Sequence, residues 1–174
     1  EVNHRVKNNM QMVSNLLELQ ISHVKEENSK NALNEGATRI RALGFAHQKL
    51  YQNEKFQTID TKEYLELIVS YVTRNVGCDT DLNFMSDYYI HIEKAQAIGF
   101  ILNELITNSI KYAWKENDAN KKISVSTAID KDQIVFMYTD NGKGFPKGFD
   151  IKQATSLGFT LVCSFVDRQL EGTI

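Results

Sequence analysis

Residues 103–111 read NELITNSIK, and residues 140–144 read DNGKG. The first stretch lies inside an apolar-periodic run that predicts one long helix over residues 93–114. The second closes a strand-like run. On a helical wheel Glu104, Asn108, Lys111 and Tyr112 share an arc of about 100°, while Leu102, Ile106, Ile110 and Ala113 lie on the other side. One face of such a helix packs on a sheet and the other presents a carboxylate, an amide, an ammonium and a phenol. Asn108 offers a hard oxygen suited to magnesium, which takes few protein ligands and keeps waters or phosphates for the rest. Lys111 is a point charge for phosphate, and Tyr112 is a platform on which a base can stack. Asp140 heads a turn in which Gly142 and Gly144 permit close approach of the backbone to a ligand. A polar helix face alone is as often plain solvent surface, and Asn-Gly alone is a common turn; the pair together points to a nucleotide with magnesium. Neither GxxxxGK[ST] nor GxGxxG occurs, so the two common phosphate loops are excluded.

Outward from that pair, Lys122–Ile129 and Gln133–Thr139 alternate as a β-hairpin turning through residues 130–132. Ser156–Leu170 reads as a last helix after a glycine-bearing loop that holds the only proline, Pro146. Upstream, Leu82–Ser86 and Tyr88–Ile92 read as short strands. Asp60 or Thr61 caps a helix ending near Val76, with Gly77 in the C′ role. Grouped helices and paired strands predict an α/β sandwich on one mixed sheet over residues 58–174.

Residues 1–57 have another texture. Val6, Met10, Val13, Leu17, Ile21 and Val24 recur at spacings of four and three along a helix over residues 1–24. His4, Asn8, Gln11 and Asn15 form a polar stripe roughly opposite. Residues 25–31 read as a turn, and residues 31–53 as a second helix with Leu33, Ala37, Ile40, Leu43, His47 and Leu50 facing inward. A two-helix hairpin has little interior of its own, and Leu16, Leu19, Leu43 and Phe45 leave apolar surface over. The expectation is pairing with a second copy into a four-helix bundle, that is, a homodimer through residues 1–57. The fold class expected for the whole is therefore α+β.

The chain has 174 residues, 42% of them hydrophobic, enough for a real core. Its net charge of −2 demands neither nucleic acid nor an anionic membrane surface. No apolar run approaches the roughly 18 residues that a membrane span needs. Cys78 and Cys163 have neither disulfide nor metal spacing and read as buried thiols of a reducing, cytoplasmic compartment. With no initial methionine and a strand-like Gly172-Thr173-Ile174 ending, the sequence reads as a fragment of a longer protein whose last strand is truncated.

NELITNSIKYA resembles the N-box of the GHKL ATPases. DNGKGFP resembles their G1 box, and SLGFTLV at residues 156–162 their G2 box. Glu1–Gln20 is similar to the H-box of sensor histidine kinases, in the subfamily marked by HRxKNN, and residues 38–51 (TRIRALGFAHQKLY) resemble the second helix of the same dimerisation domain. The likeness runs in the family's order over nearly the whole chain. It implies a Bergerat-type sandwich binding ATP and Mg2+. Asn108 is then the magnesium ligand, and Glu104 a partner through magnesium-bound water or a general base. Lys111 faces the phosphates, and Asp140 bonds the adenine amino group. Gly142, Gly144 and Gly158 frame adenine and lid, with Ser156 at the G2 start. The lid between Gly144 and Gly158 lacks an F-box, which leaves Phe145, Phe149 and Lys152 to close it.

The resemblance further implies His4 as phosphoacceptor. Chemically, it must present a neutral imidazole nitrogen to the γ-phosphorus, which an ordinary histidine pKa near 6.5 allows. Family members commonly place an acid directly after the histidine; here Arg5 follows. Glu1, one turn earlier, is one candidate to orient the ring, and Arg5 and Lys7 are candidates to offset phosphoryl charge. Asn8 is either a water-positioning residue for phosphatase chemistry or a solvent-facing amide. His23, His47 and His91 read as solvated or packing residues. The expected function is a histidine autokinase that passes the phosphoryl group from His4 to the receiver-domain aspartate of a response regulator. Two alternatives stand beside it: a GHKL ATPase or serine kinase without phosphohistidine chemistry, and a dimeric nucleotide-binding scaffold.

Overall fold

A computed structural model describes residues 2–27, 29–30, 33–34, 36–37, 40, 44, 58–74, 76–86, 88–115, 117–131 and 133–174, with side chains from Gln11 onward. The chain divides into two compact units, Glu1–Gln57 and Thr58–Ile174.

In the first unit α1 spans Val2–His23. The predicted polar stripe is visible where Gln11 Nε2 donates to Asn15 Oδ1 at 2.9 Å, one turn apart. The apolar seam is offset from the expected one. Leu17, Ile21 and Val24 are half-buried, but Val13 is 45% exposed and its neighbour Ser14 is fully buried. Close approach of the second helix explains this: a side chain at Gly36 would touch Leu17, and Ala37 is wholly buried. Met12, Leu16 and Leu19 remain about 60% exposed. The expected turn over residues 25–31 is shorter than predicted, since Glu27 is already helical and Lys30 N donates to Glu26 O at 3.0 Å. Leu43, Phe45, His47, Leu50 and the end of the second helix at Asn53 lie outside the described residues.

In the second unit β1 (Thr58–Asp60) pairs antiparallel with β3 (Tyr89–His91). Asp60 then caps α2 (Thr61–Thr73), its carboxylate accepting from Glu63 N at 2.9 Å. The helix stops short of Val76. Gly77 is left-handed at φ 60° but lies beyond the cap at Arg74, so it shapes the following turn and is not the C′ residue. β2 (Asp79–Asn83) lies parallel to β4 (Lys122–Asp130), which pairs antiparallel with β5 (Gln133–Asp140). This three-stranded sheet is mixed, as expected, but β1 and β3 form a separate two-stranded sheet where a single sheet was expected. β2 begins earlier than predicted because it is a mostly exposed edge strand, and its polar DTDLN carries no alternation to read.

α3 (Ile92–Asn108) packs between α2 and α4 (Leu157–Arg168). Its Leu102 and Ile106 join Tyr64, Leu65 and Val69 of α2, Ile123 and Val125 of β4 and Val162 of α4 in the core. Phe100 and Phe165 meet at 4.6 Å between ring centroids. Cys78 and Cys163 are free thiols, half-buried rather than buried. Burial first, and then the charge of Asp79, push the Cys78 thiol up in pKa. Among the described residues no helix is long and apolar enough to cross a membrane.

Candidate nucleotide site

Sheet register brings the two motif stretches together. Ile123 pairs with Asp140 and Val125 with Tyr138. Residues directly opposite in a ladder point to the same face. Ile123 and Val125 are buried core residues, so Tyr138 and Asp140 project to the face that α3 covers. There the helix changes pitch. After Asn108 it continues as a π turn, Ser109–Ala113, a distortion often found at functional sites. Bonding from i to i+5 means each residue advances through a smaller angle. The predicted arc therefore holds up to Asn108 but not for Lys111 and Tyr112.

Three residues of this helix end bond residues of the turn. Ser109 Oγ donates to Asp140 Oδ2 at 2.6 Å. Tyr138 Oη donates to Ser109 Oγ at 2.7 Å, and Asp140 Oδ1 accepts from Gly142 N at 2.9 Å. Lys143 N donates to Ala113 O at 2.9 Å, meeting a carbonyl that a helix end leaves without an internal partner. Trp114 Nε1 donates to Asn141 Oδ1 at 2.8 Å; the same oxygen accepts from Lys122 N at 2.9 Å, and Asn141 Nδ2 donates to Asn120 O at 2.6 Å. Asn141 thus ties the helix end, the start of β4 and the loop before it into one corner. A Cβ on Gly142 would overlap Ala113, so the smallness of this glycine serves the contact between turn and helix. Gly144 sits at φ 70° with open space around it.

The predicted polar helix face is not uniformly solvent-facing. Glu104 is 2% exposed and Asn103 4%, whereas Asn108 is half-buried and Lys111 and Tyr112 are exposed. Ser156 caps α4 through its backbone, with no side-chain cap bond, and Thr160 N and Oγ1 both donate to its carbonyl. Gly158 is buried in the first turn. In the expected lid, Phe145 and Phe149 stack at 4.3 Å, and both meet Phe159 of α4 within 6 Å. Lys152 sits in a short 3-10 turn whose amide is capped by Asp150. His4 and Asn8 lie on α1; their side chains, and Glu1 entirely, are outside the described residues. Sequence reasoning missed Ser109, Tyr138, Trp114 and Asn141. Ser109 and Asn141 stand inside the quoted motifs, so their signal was adjacency; Tyr138 carried only alternation with Asp140.

Helices layered on a mixed sheet, with a strand-end aspartate pinned to a helix end, are the arrangement of an ATPase-type sandwich, and α1 lies in a separate helical unit. Comparison with known proteins agrees. A family model described as histidine kinase matches residues 1–76. Another, described as histidine kinase-, DNA gyrase B- and HSP90-like ATPase, matches residues 93–174. The sensor histidine kinase PdtaS of Mycobacterium tuberculosis is 26% identical over 177 residues, covering all of this chain and 35% of that protein. The blue-light-activated histidine kinase 2 of Erythrobacter litoralis is 24% identical over 172 residues, covering 95% of this chain and 49% of that one. The solved histidine kinase domain from the Erythrobacter litoralis EL346 blue-light activated histidine kinase has the same fold, with a TM-score of 0.64, 19% identity, and coverage of 90% of this chain and 84% of its own. The two models together match nearly the whole chain, which is similar to histidine kinases from end to end. It spans about a third (35%) of the length of the first of these relatives.

Proposed function

We propose that this chain is the cytoplasmic core of an ATP-dependent histidine autokinase in a two-component pathway. The observation that carries the reading is the pinned Asp140 turn on the Asn108 helix end, in one chain with His4 on a separate helical unit. Asp140 receives the adenine amino group, Lys111 meets phosphate, and Tyr112 flanks the base. Gly144, Ser156 and Gly158 line the lid side. The donor set fits magnesium: Asn108 would supply one hard oxygen, Glu104, one turn earlier, would hold a bound water, and phosphates would complete the shell. Magnesium, when bound, offsets negative charge on the phosphate oxygens.

The His4 imidazole nitrogen attacks the γ-phosphorus. A phosphorus–nitrogen bond forms, the bond to the bridging oxygen breaks, ADP leaves, and the imidazole proton passes to solvent, with Glu1 the candidate to orient the ring. The aspartate of a response-regulator receiver domain then takes the phosphoryl group, and Asn8, on the same helix as His4, is the candidate to orient water against that aspartyl phosphate in a phosphatase reaction. The exposed Met12, Leu16 and Leu19 supply the surface for a homodimer through residues 1–57. Incubation with γ-labelled ATP and magnesium tests the reading. The expected product is an acid-labile, base-stable phosphoryl group that is lost in His4→Gln. Label that survives acid, or that persists in the variant, overturns it.

A further inference from the structure

The directions of the hydrogen bonds around Asp140 are fixed by proton count. A carboxylate only accepts, so the single hydroxyl proton of Ser109 points to Asp140 Oδ2, at 2.6 Å. Ser109 Oγ is then an acceptor toward Tyr138, and the Tyr138 proton points to it at 2.7 Å; the alternative acceptor, Leu105 O, lies farther off at 3.3 Å. The chain of donors therefore runs one way, from Tyr138 through Ser109 to Asp140. Ser109 is 5% exposed, which excludes water as a ready substitute. Burial, the largest cause, pushes the Tyr138 phenol far up in pKa, opposed by its bond to Ser109 and reinforced by the charge of Asp140. Tyr138 stays a donor across the physiological range. Asp140 Oδ1 is held separately by Gly142 N. Both carboxylate oxygens are thus anchored, and the rotamer and acceptor character of the group are set before any ligand arrives.

We propose that Ser109, oriented by Tyr138, is a positioning residue that holds Asp140 as a fixed acceptor and so selects a purine bearing an amino group over one bearing a carbonyl at the same ring position. This rests on the reading of Asp140 as the base contact and adds the residues that give that contact its selectivity. Preorganised acceptors discriminate because the wrong base leaves a buried polar group facing another acceptor. A carboxylate freed from Ser109 can rotate and admit water between itself and a carbonyl, which removes the penalty against the wrong base and weakens the bond to the right one.

ATP and inosine triphosphate differ at this position, amino against carbonyl, and are the probes. Equilibrium binding of each, with magnesium, is measured for the wild-type chain, Ser109→Ala and Tyr138→Phe. The wild type is expected to prefer ATP. Ser109→Ala is expected to lose about tenfold in ATP affinity with little change for inosine triphosphate, the order expected for a bond to a charged group. Tyr138→Phe keeps the Ser109 hydroxyl and is expected to move the ratio the same way by less. A purely structural role would lower both affinities equally, and that result overturns the proposal, as does an unchanged ratio in both variants. If Ser109→Ala does not fold, Tyr138→Phe alone decides by the same ratio. Absence of ATP binding in the wild type would instead remove the nucleotide reading, and the proposal with it. Wild-type binding without discrimination would remove only Asp140's role as base contact and the selection built on it.

Discussion

Gly142→Ala tests whether the Asp140 turn is held by contact with the helix end. Gly142 has no left-handed φ, so alanine there costs nothing in backbone conformation. What it meets is Ala113, the Cβ first and then the backbone: the added Cβ would lie 2.6 Å from Ala113 O and 2.8 Å from Ala113 C. Restoring an ordinary contact of 3.4 Å requires a displacement of 0.8 Å from the oxygen (3.4 less 2.6). That movement stretches the 2.9 Å bond from Lys143 N to the same oxygen beyond useful length. Overpacking of this kind costs about 1–3 kcal/mol, and the bond about 1 kcal/mol more. A loss of about 2–4 kcal/mol lowers the melting temperature of a unit this size by about 8–16 °C. Gly144→Ala is the control: its surroundings are open, and only the left-handed φ of 70° is penalised, by about 1 kcal/mol. Trp114, the only tryptophan, reports directly because its indole bonds Asn141 beside the substituted residue. Thermal unfolding followed by its fluorescence should rank wild type, Gly144→Ala and Gly142→Ala in descending order. Adding Ala113→Gly removes a side chain but not the clashing carbonyl, and should recover little. Equal effects of the two glycine substitutions, or full rescue by Ala113→Gly, would refute the reasoning.

Two further outcomes follow from buried tyrosines. Tyr64 is 1% exposed, its hydroxyl has no hydrogen-bond partner among the described residues, and a Cβ on Gly99 would fall onto that hydroxyl. Tyr64→Phe should therefore raise stability by about 1 kcal/mol, and should offset part of the loss caused by Gly99→Ala; strictly additive melting shifts would exclude this contact. Burial raises the pKa of both Tyr64 and Tyr138 far above the ordinary value near 10. Above pH 10 the unfolded chain releases these protons while the folded chain keeps them. The stability they contribute is complete below pH 10 and is lost as pH rises toward the folded values, by up to about 1.4 kcal/mol per pH unit for each group. Urea titrations at pH 9.5, 10.5 and 11 should show this slope, reduced in Tyr138→Phe; a flat profile contradicts the burial.

How much of this is legible in sequence depends on whether a residue's neighbours are local. The β4–β5 hairpin is legible because half-burial imposes a two-residue period, and the cap at Asp60 because its partner Glu63 lies within the same turn. β2 is not, because an exposed edge strand has no such pattern to obey. The π turn is not either: the five residues Ser109–Ala113 hold only about one turn, too few apolar positions to reveal a change of period. The same rule divides the site. Asp140, Gly142 and Gly144 announce themselves as a turn, and Asn108 as a polar helical residue. Ser109 does not, since serine inside a helix usually bonds its own backbone. Only the register of β5 against β4 brings a residue 31 positions away onto it. The features missed are thus those whose meaning is made by the sheet. Once β4 and β5 pair in that register, Asp140 faces the helix end, and residues 109, 113 and 114 find partners at 140, 143 and 141. A one-residue slip would reverse every side chain of β5 and carry Tyr138 and Asp140 to the opposite face. The pairing that makes the core is therefore the same one that assembles the candidate base pocket, which ties the fold of this unit to its proposed chemistry.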